Sequence, residues 1–388
     1  MTDAVMALNA GSSSLKAGLF SIGGDELLAS CLVDRIGPDG SMSIKLADGA
    51  KHMIENLELS SHAQSMLAVV KQFQEAFKEL NIVAIGHRVV HGGDLYSSPV
   101  IVSEEVLTKL SLLSPFAPLH QPHNLEGIRI AMNLFKNVPQ VACFDTAFHR
   151  NHPWVNDTFA LPRKYYEEGI RRYGFHGLSY EYIALELKLR SPYLYEGKIV
   201  VAHLGSGASM CGIQNGKSVA STMGFSALDG LPMGTRCGQL DPGVLLYLID
   251  QKGMSVSEIS DLLYKKSGLL GLSEISNDMR TLEESHEASA KEAINYFVFR
   301  SQREVGAMAA ALGGIDALVF CGGIGENSRC IRARICERLQ WMGIELDHVK
   351  NDGNEFVISS DIARTSVMVI PTNEELMIVR STCETLDI

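Results

Sequence analysis

The chain has 388 residues, of which 46% are hydrophobic and 20% charged, and its formal net charge is -11. That length exceeds one ordinary hydrophobic core and predicts two domains, or at most three. The acidic balance excludes a general nucleic-acid binder, whose affinity would rest on Lys and Arg neutralising phosphates. Eight cysteines lie scattered, without a CxxC pair or a Cys/His cluster at zinc spacing, which predicts reduced and mostly buried thiols in a cytoplasmic protein.

The first predicted element is a hairpin. Residues 5–8 are apolar, Asn9-Ala10-Gly11-Ser12-Ser13-Ser14-Leu15-Lys16 is a turn of small polar residues, and residues 17–20 are apolar again. No basic stretch followed by an apolar core precedes it, so no secretory leader is expected. Small residues let the backbone approach a bulky anion, three hydroxyls and an amide offer hydrogen bonds, and Lys16 adds positive charge. The spacing is not that of a Walker loop, and no helix is predicted directly after the turn. Taken alone, an ordinary solvated hairpin turn fits these residues equally well.

Met66, Leu67, Val70, Phe73, Ala76, Phe77 and Leu80 recur at helical spacing and predict a helix over 60–80. A strand at 83–85 leads into Gly86-His87-Arg88-Val89-Val90-His91-Gly92-Gly93, where an Arg between strand and paired glycines can reach into a cleft. A surface salt bridge is the plainer alternative for Arg88. A strand at 141–144 ends in Asp145, which could orient or deprotonate a nucleophile, or could cap the next helix. The pattern breaks at Arg150-Asn151-His152-Pro153, the predicted end of the first domain.

In the second half, Arg171-Arg172-Tyr173-Gly174-Phe175-His176-Gly177 frames a histidine with glycines. A strand at 198–203 then enters Leu204-Gly205-Ser206-Gly207-Ala208-Ser209 and returns through 210–213 to the turn Gln214-Asn215-Gly216-Lys217. The plan is that of the N-terminal hairpin. Its recurrence once per half predicts duplicated domains that each offer a small-residue turn to a central cleft, with chance resemblance of two hairpins as the alternative. Residues 224–242 form a long aperiodic loop containing Met233-Gly234-Thr235-Arg236-Cys237-Gly238, and loops of that length tend to be functional. A helix over 287–312 stops at Gly313-Gly314. A buried strand at 317–320 runs into the Gly-rich turn Cys321-Gly322-Gly323-Ile324-Gly325-Glu326-Asn327, and a last short strand lies at 367–370. Helix plus strand explains the apolar segment 305–325 better than a membrane span does. Strands alternating with helices make the fold class α/β. Arg, His, Asp, Asn and Lys at strand ends, with no nucleophile elbow, are the inventory that phosphoryl transfer needs.

Together these segments resemble the acetate/propionate kinase family, within the sugar kinase–Hsp70–actin superfamily. The matching stretches are 9–16, 86–93, 144–149, 171–179, 203–209, 224–242, 323–327 and 371–376, in the family's order over nearly the whole chain. The resemblance implies two duplicated actin-like (ribonuclease H-like) domains around a central cleft. Residues 1–150, completed by a helix at 375–388, would form one, and residues 151–374 the nucleotide-binding other. It implies a homodimer, with no nucleic-acid or membrane partner, that transfers the γ-phosphoryl of ATP reversibly and in line to acetate, giving acetyl phosphate and ADP. Mg2+ would assist, with Mn2+ as a substitute. Propionate or butyrate kinase of the same family is the alternative.

By the same resemblance, Asn9 and Glu374 belong to the metal, and Lys16, Ser12 and Ser14 to the nucleotide phosphates. Arg88 and Arg236 hold the carboxylate and the transferring group, and His176 stabilises the transition state. Nucleotide contacts fall at His203, Leu204, Gly205, Ser206, Gly207, Asp278, Met279, Arg280, Gly323, Ile324, Gly325, Glu326 and Asn327, and the acyl pocket at Val90, Leu119, Phe175 and Ala227. Asp145 occupies the family's acid/base position. Acetate is already ionised at pH 7 and needs no base, so Asp145 is expected to orient Arg88 or a water on the metal. The chain departs from the family at Ser206 (usually Asn), Ala227 (usually Pro), Leu178 (usually Thr) and Tyr180 (usually His). The Ala227 change removes bulk from the pocket, and one methylene there is worth about 1–3 kcal/mol.

Overall fold

The N-terminal hairpin opens a sheet. Strands β1 (Thr2–Ala10) and β2 (Ser14–Ser21) run antiparallel with Asn9 opposite Lys16. The computed structural model describes residues 2–11, 14–23, 26–37, 40–54, 59–77, 80–118 and 120–388; Ser12 and Leu119 lie outside them. The chain forms two compact units, one of Met1–Arg150 with Asn373–Ile388, the other of Asn151–Thr372.

In the first unit, β3 (Leu27–Asp34), β4 (Ser41–Leu46) and β5 (Lys51–Ile54) extend the antiparallel meander beyond β2. On the other side of β1 lie β6 (Leu80–Val89), edge strand β7 (Val100–Ile101) and β8 (Gln140–Phe144). The sheet order is β5-β4-β3-β2-β1-β6-β8-β7, with β1, β6 and β8 parallel. Period-2 alternation sends Ala29, Cys31 and Val33 of β3 inward, together with Met6, Leu8 and Leu15. They meet Met66, Val69 and Phe73 of the helix His62–Ala76, whose Ser61 cap accepts from the Gln64 N–H. That helix is shorter than the predicted 60–80, because Leu80 already belongs to β6.

Strand β6 also runs further than the predicted 83–85. Its ladder pairs Leu8 with His87 and Arg88 with Cys143, so Arg88 sits on the strand rather than after it. Gly86 explains part of this. A Cβ there would lie 2.3 Å from Thr382 Oγ1 and 2.5 Å from Ile378 Cγ2. Only a glycine lets the helix Glu374–Leu386 lie this close to the strand. Asn373 caps that helix by accepting from the Leu376 N–H, and Glu374 and Glu375 fill its first turn, where negative charge suits the helix dipole.

The second unit repeats the plan. Strands β9 (Lys198–Leu204), β10 (Ala208–Gln214) and β11 (Lys217–Ser221) form the antiparallel part, and β12 (Ala317–Cys321) and β13 (Ser366–Val369) add parallel to β9. The order β11-β10-β9-β12-β13 has the arrangement of β3-β2-β1-β6-β8. The helix Ala288–Leu312 packs across β9 and β10 and ends, as its sequence predicts, on left-handed Gly313 with φ 68°. No helix or strand occurs between Ser221 and Pro242.

One expectation fails here. Residues Gly322–Asn327, predicted as a Gly-rich turn, form a short helix. Gly322 makes the entry: its φ is 75°, and a Cβ would stand 2.8 Å from the Leu204 carbonyl. The exit is held from a distance. The buried guanidinium of Arg332 donates from Nη1 to the carbonyls of Gly325 and Glu326, each at 2.9 Å. All eight cysteines are free thiols, and six are buried. Among the described residues no helix is long and apolar enough to cross a membrane.

Candidate functional site

Arg88 is the hub of the first unit. Its Nε donates to both Asp145 oxygens at 3.0 and 3.1 Å and its Nη2 to Oδ2 at 2.6 Å, a forked geometry suited to an ionised carboxylate. Nη1 donates to Asn9 Oδ1 at 3.1 Å and lies 3.9 Å from Glu374 Oε2. The Asp145 side chain is 2% exposed, that of Glu374 15% and that of Arg88 21%. Asp145 therefore orients Arg88 and does not cap the short 3-10 helix Ala147–His149, which has no side-chain cap. The surface salt bridge is likewise excluded for Arg88.

Electrostatics keep this group together. Burial pushes the Arg88 pKa down, but Asp145 and Glu374 outweigh it and leave the guanidinium more firmly protonated than usual. Burial raises the Asp145 carboxyl, Arg88 pulls it back and Glu374 pushes it up again. Two carboxylates and an amide oxygen around one cation form an all-oxygen donor set. Magnesium takes one or two carboxylates and otherwise water or phosphate oxygen, so Asn9 and Glu374 fit it chemically.

The neighbouring backbone is clamped. Asn124 Oδ1 accepts from the Val90 N–H at 3.0 Å, and Asn124 Nδ2 donates to the Ala10 carbonyl at 2.6 Å. Sequence reasoning missed Asn124; the Pro122 that starts its helix was the available signal. Lys16 is exposed on β2 and lines a cavity of about 580 Å³ with Lys45, Lys51, Asn373 and Glu375. The Ser14 carbonyl accepts from the Gly11 N–H at 2.8 Å and closes the turn.

The second unit gathers its own set. His176 precedes the helix Gly177–Arg190 in the left-handed region, φ 58°. Its Nδ1 is 2.8 Å from Ser209 Oγ, and its ring stacks on His203 with centroids 4.3 Å apart. Ser209 also bonds the buried Tyr180 hydroxyl, while His203 Nδ1 bonds Ser179 Oγ at 2.8 Å. Ser209 and Tyr180 thus hold one edge of His176, which turns Nε2 toward Gly207. A Cβ on Gly207 would lie 2.7 Å from Arg236 Nη2 and 3.2 Å from His176 Nε2, so a side chain there would displace the guanidinium from where the two residues converge. Arg236 is aimed by its Nη1 bond to the Ala227 carbonyl at 2.8 Å, and its loop is tied to the turn by Gly234 N–H donating to Ser206 O at 3.1 Å. Phe175 is buried and Ala227 half-buried.

Beside this turn lies a cavity of about 710 Å³. It brings together Gly205, Ser206, Asp278, Met279, Arg280, Gly323, Ile324 and Asn327 from the sequence expectation, and adds Asn277, Glu283 and Ser328. Asp278 accepts from the Arg280 N–H at 2.9 Å and pairs with the exposed Arg280 guanidinium at 2.6 Å. Five expected contacts do not line the cavity: Gly207, which faces Arg236 and His176, and four more. His203 and Leu204 are buried in β9, and Gly325 packs near the Ala202 carbonyl. Glu326 accepts from the N–H groups of Gly322 at 2.8 Å and Thr372 at 3.0 Å, a bracing role behind the cavity wall.

Known proteins resemble this chain in sequence and fold. A profile described as "Acetokinase family" matches residues 4–380. The acetate kinase of Methylocella silvestris is 55% identical, with the alignment covering 100% of this chain and 99% of that protein. Among solved structures, Porphyromonas gingivalis acetate kinase is 36% identical with a TM-score of 0.89, covering 99% of this chain and 100% of its own. A propionate kinase from Francisella tularensis is 38% identical with a TM-score of 0.91, covering 98% and 99%. The fold is the two-domain actin-like fold of these kinases, with one sheet in each unit. From strand order, site and likeness together, the chain belongs to the acetokinase family.

Proposed function

We propose that this enzyme is an acetate kinase that moves the γ-phosphoryl group of ATP to acetate, reversibly and by direct in-line transfer. The observation that carries this reading is the convergence of Arg236 Nη2 and His176 Nε2 on Gly207, in the turn whose preceding residues line the 710 Å³ cavity. A nucleotide in that cavity has its phosphate chain beside backbone donors, with two nitrogen donors on its terminal group. Donors fixed before reaction stabilise the charge that spreads over the equatorial oxygens without reorganising.

Arg88 is the residue for the acetate carboxylate, and the buried Val90, two residues further on, is the apolar side chain for its methyl group. Asp145 holds Arg88 by its fork and takes no proton, because the nucleophile is already an anion at pH 7. Arg236 and His176 donate to the transferring group, and Lys16 serves the phosphates. Magnesium at Asn9 and Glu374 would neutralise phosphate charge during transfer. A second reading, propionate kinase of the same family, rests on the small Ala227 side chain expected in the acyl pocket and on the likeness to a solved propionate kinase. A hydroxamate assay with ATP, Mg2+ and acetate, propionate or butyrate tests both. Acyl phosphate formation fastest with acetate supports the proposal; a higher kcat/KM for propionate transfers it to the second reading, and no acyl phosphate from any acid overturns it.

A further inference from the structure

We propose that His62, His123 and Glu126 form a binding site for a borderline transition-metal dication such as Zn2+, distinct from the oxygen set proposed for magnesium. Each residue offers one ligand atom, and these atoms lie within 4.8 Å of one another. His62 opens the helix His62–Ala76; His123 and Glu126 stand one turn apart near the start of the helix Gln121–Leu134. Two imidazoles and one carboxylate, with a position left for water, are a recurrent donor set for zinc. Magnesium prefers oxygen and competes poorly for imidazole.

Hydrogen bonding prepares the His62 ring. His62 Nε2 lies 2.7 Å from the Gly11 carbonyl, which can only accept, so Nε2 carries the proton and Nδ1 the lone pair. A ligating histidine that donates its other N–H to a carbonyl is the usual support around a metal. His123 Nδ1 is buried with no hydrogen-bond partner among the described residues and sits 3.9 Å from Glu126 Oε2. The two rings stack, with centroids 4.7 Å apart and planes 16° from parallel. They must splay for both lone pairs to meet on one ion, and χ2 of histidine turns at low cost. The Glu126 side chain is 53% exposed and free to swing in. Through the His62–Gly11 bond, an ion held here braces the turn that carries Asn9 and Lys16.

Zn2+ titration of the reduced, full-length protein under saturating Mg2+, followed by calorimetry and by melting temperature, tests the site. One Zn2+ per chain is expected, with a higher melting temperature, and with affinity falling about tenfold or more in His123→Ala and in Glu126→Gln. If His123→Ala fails to fold, as judged by circular dichroism, Glu126→Gln decides. Cobalt(II) in place of zinc should give visible bands without sulfur-to-metal charge transfer. Absence of binding, binding that these variants leave unchanged, or a thiolate signature from a cysteine would each overturn the proposal.

Discussion

Replacing Asp145 by Asn separates orientation from proton transfer. In the structure Asp145 receives three contacts from Arg88, at 3.0, 3.1 and 2.6 Å. Asparagine keeps one oxygen for the guanidinium, turns an N–H2 group against the other donor and removes the charge. The loss is roughly that of one charge-assisted hydrogen bond, about 1.5–3 kcal/mol. Relief of the repulsion between Asp145 and Glu374 offsets part of it. Carried wholly into the barrier, that range corresponds to about a 10- to 150-fold fall in kcat/KM. On the proposed function, Arg236→Ala removes a donor from the transferring group itself, and residues of that kind contribute about 10³–10⁵ in kcat. Steady-state hydroxamate kinetics should therefore rank Arg236→Ala as the more damaging change. Asp145→Asn should also keep the pH dependence of kcat/KM. An Asp145→Asn loss equal to or above that of Arg236→Ala, or a missing limb in its pH profile, would refute the orienting role.

Gly207→Ala should lower kcat at least tenfold while leaving ATP affinity near that of the parent, since the new methyl meets Arg236 Nη2 at 2.7 Å; unchanged kcat would show that the guanidinium does not work there. Gly86→Ala should lower the melting temperature, because overpacking against Thr382 and Ile378 costs about 1–3 kcal/mol, and an unshifted melt contradicts the close packing. Acid should destabilise the protein through His87 and His91, whose pKa values burial lowers to about 4 and about 3. Both are neutral in either state above pH 6.5; below it only the unfolded chain takes the proton, so stability falls with pH until the folded values are reached, by about 1.4 kcal/mol per pH unit for each histidine. Denaturant midpoints between pH 7 and 5 check this, and a flat profile denies the neutral burial. Propionate should be accepted with acetate preferred, and a propionate kcat/KM below about a thousandth of acetate's would remove the argument from Ala227, since a methylene discriminates by only about 1–3 kcal/mol.

Legibility followed locality. Both hairpins and the helix ending at Gly313 carry their signal within a few residues, so apolar runs and turn residues suffice. Strand β6 was read too short because Gly86, His87 and Arg88 look polar. Their place in a strand comes from ladders to β1 and β8, partners distant in sequence. The helix at Gly322–Asn327 depends on Arg332 reaching back to its last carbonyls, which no local rule anticipates. In the site, residue type pointed to Arg88, Asp145, His176 and Arg236. The partners that aim them, Ser209 and Tyr180 for His176 and the Ala227 carbonyl for Arg236, emerge only from the folded chain. Meander strands β3–β5 escaped because their alternation is diluted by Ser, Asp and Lys on the solvent side.

The first unit is interrupted: it closes only with Asn373–Ile388, after the whole of the second unit has been threaded through the chain. During vectorial synthesis, β6 and β8 must wait with an uncovered face, because Gly86 and Cys143 pack on a helix that follows the whole second unit in the chain. Residues Asn151–Thr372 can complete their fold before that helix exists. Maturation of the Arg88 cluster thus waits until the second unit has been made, since Glu374 arrives with the same helix. A chain broken after Thr372 would keep the whole second unit and forfeit the Arg88 cluster, more than two hundred residues away from the break.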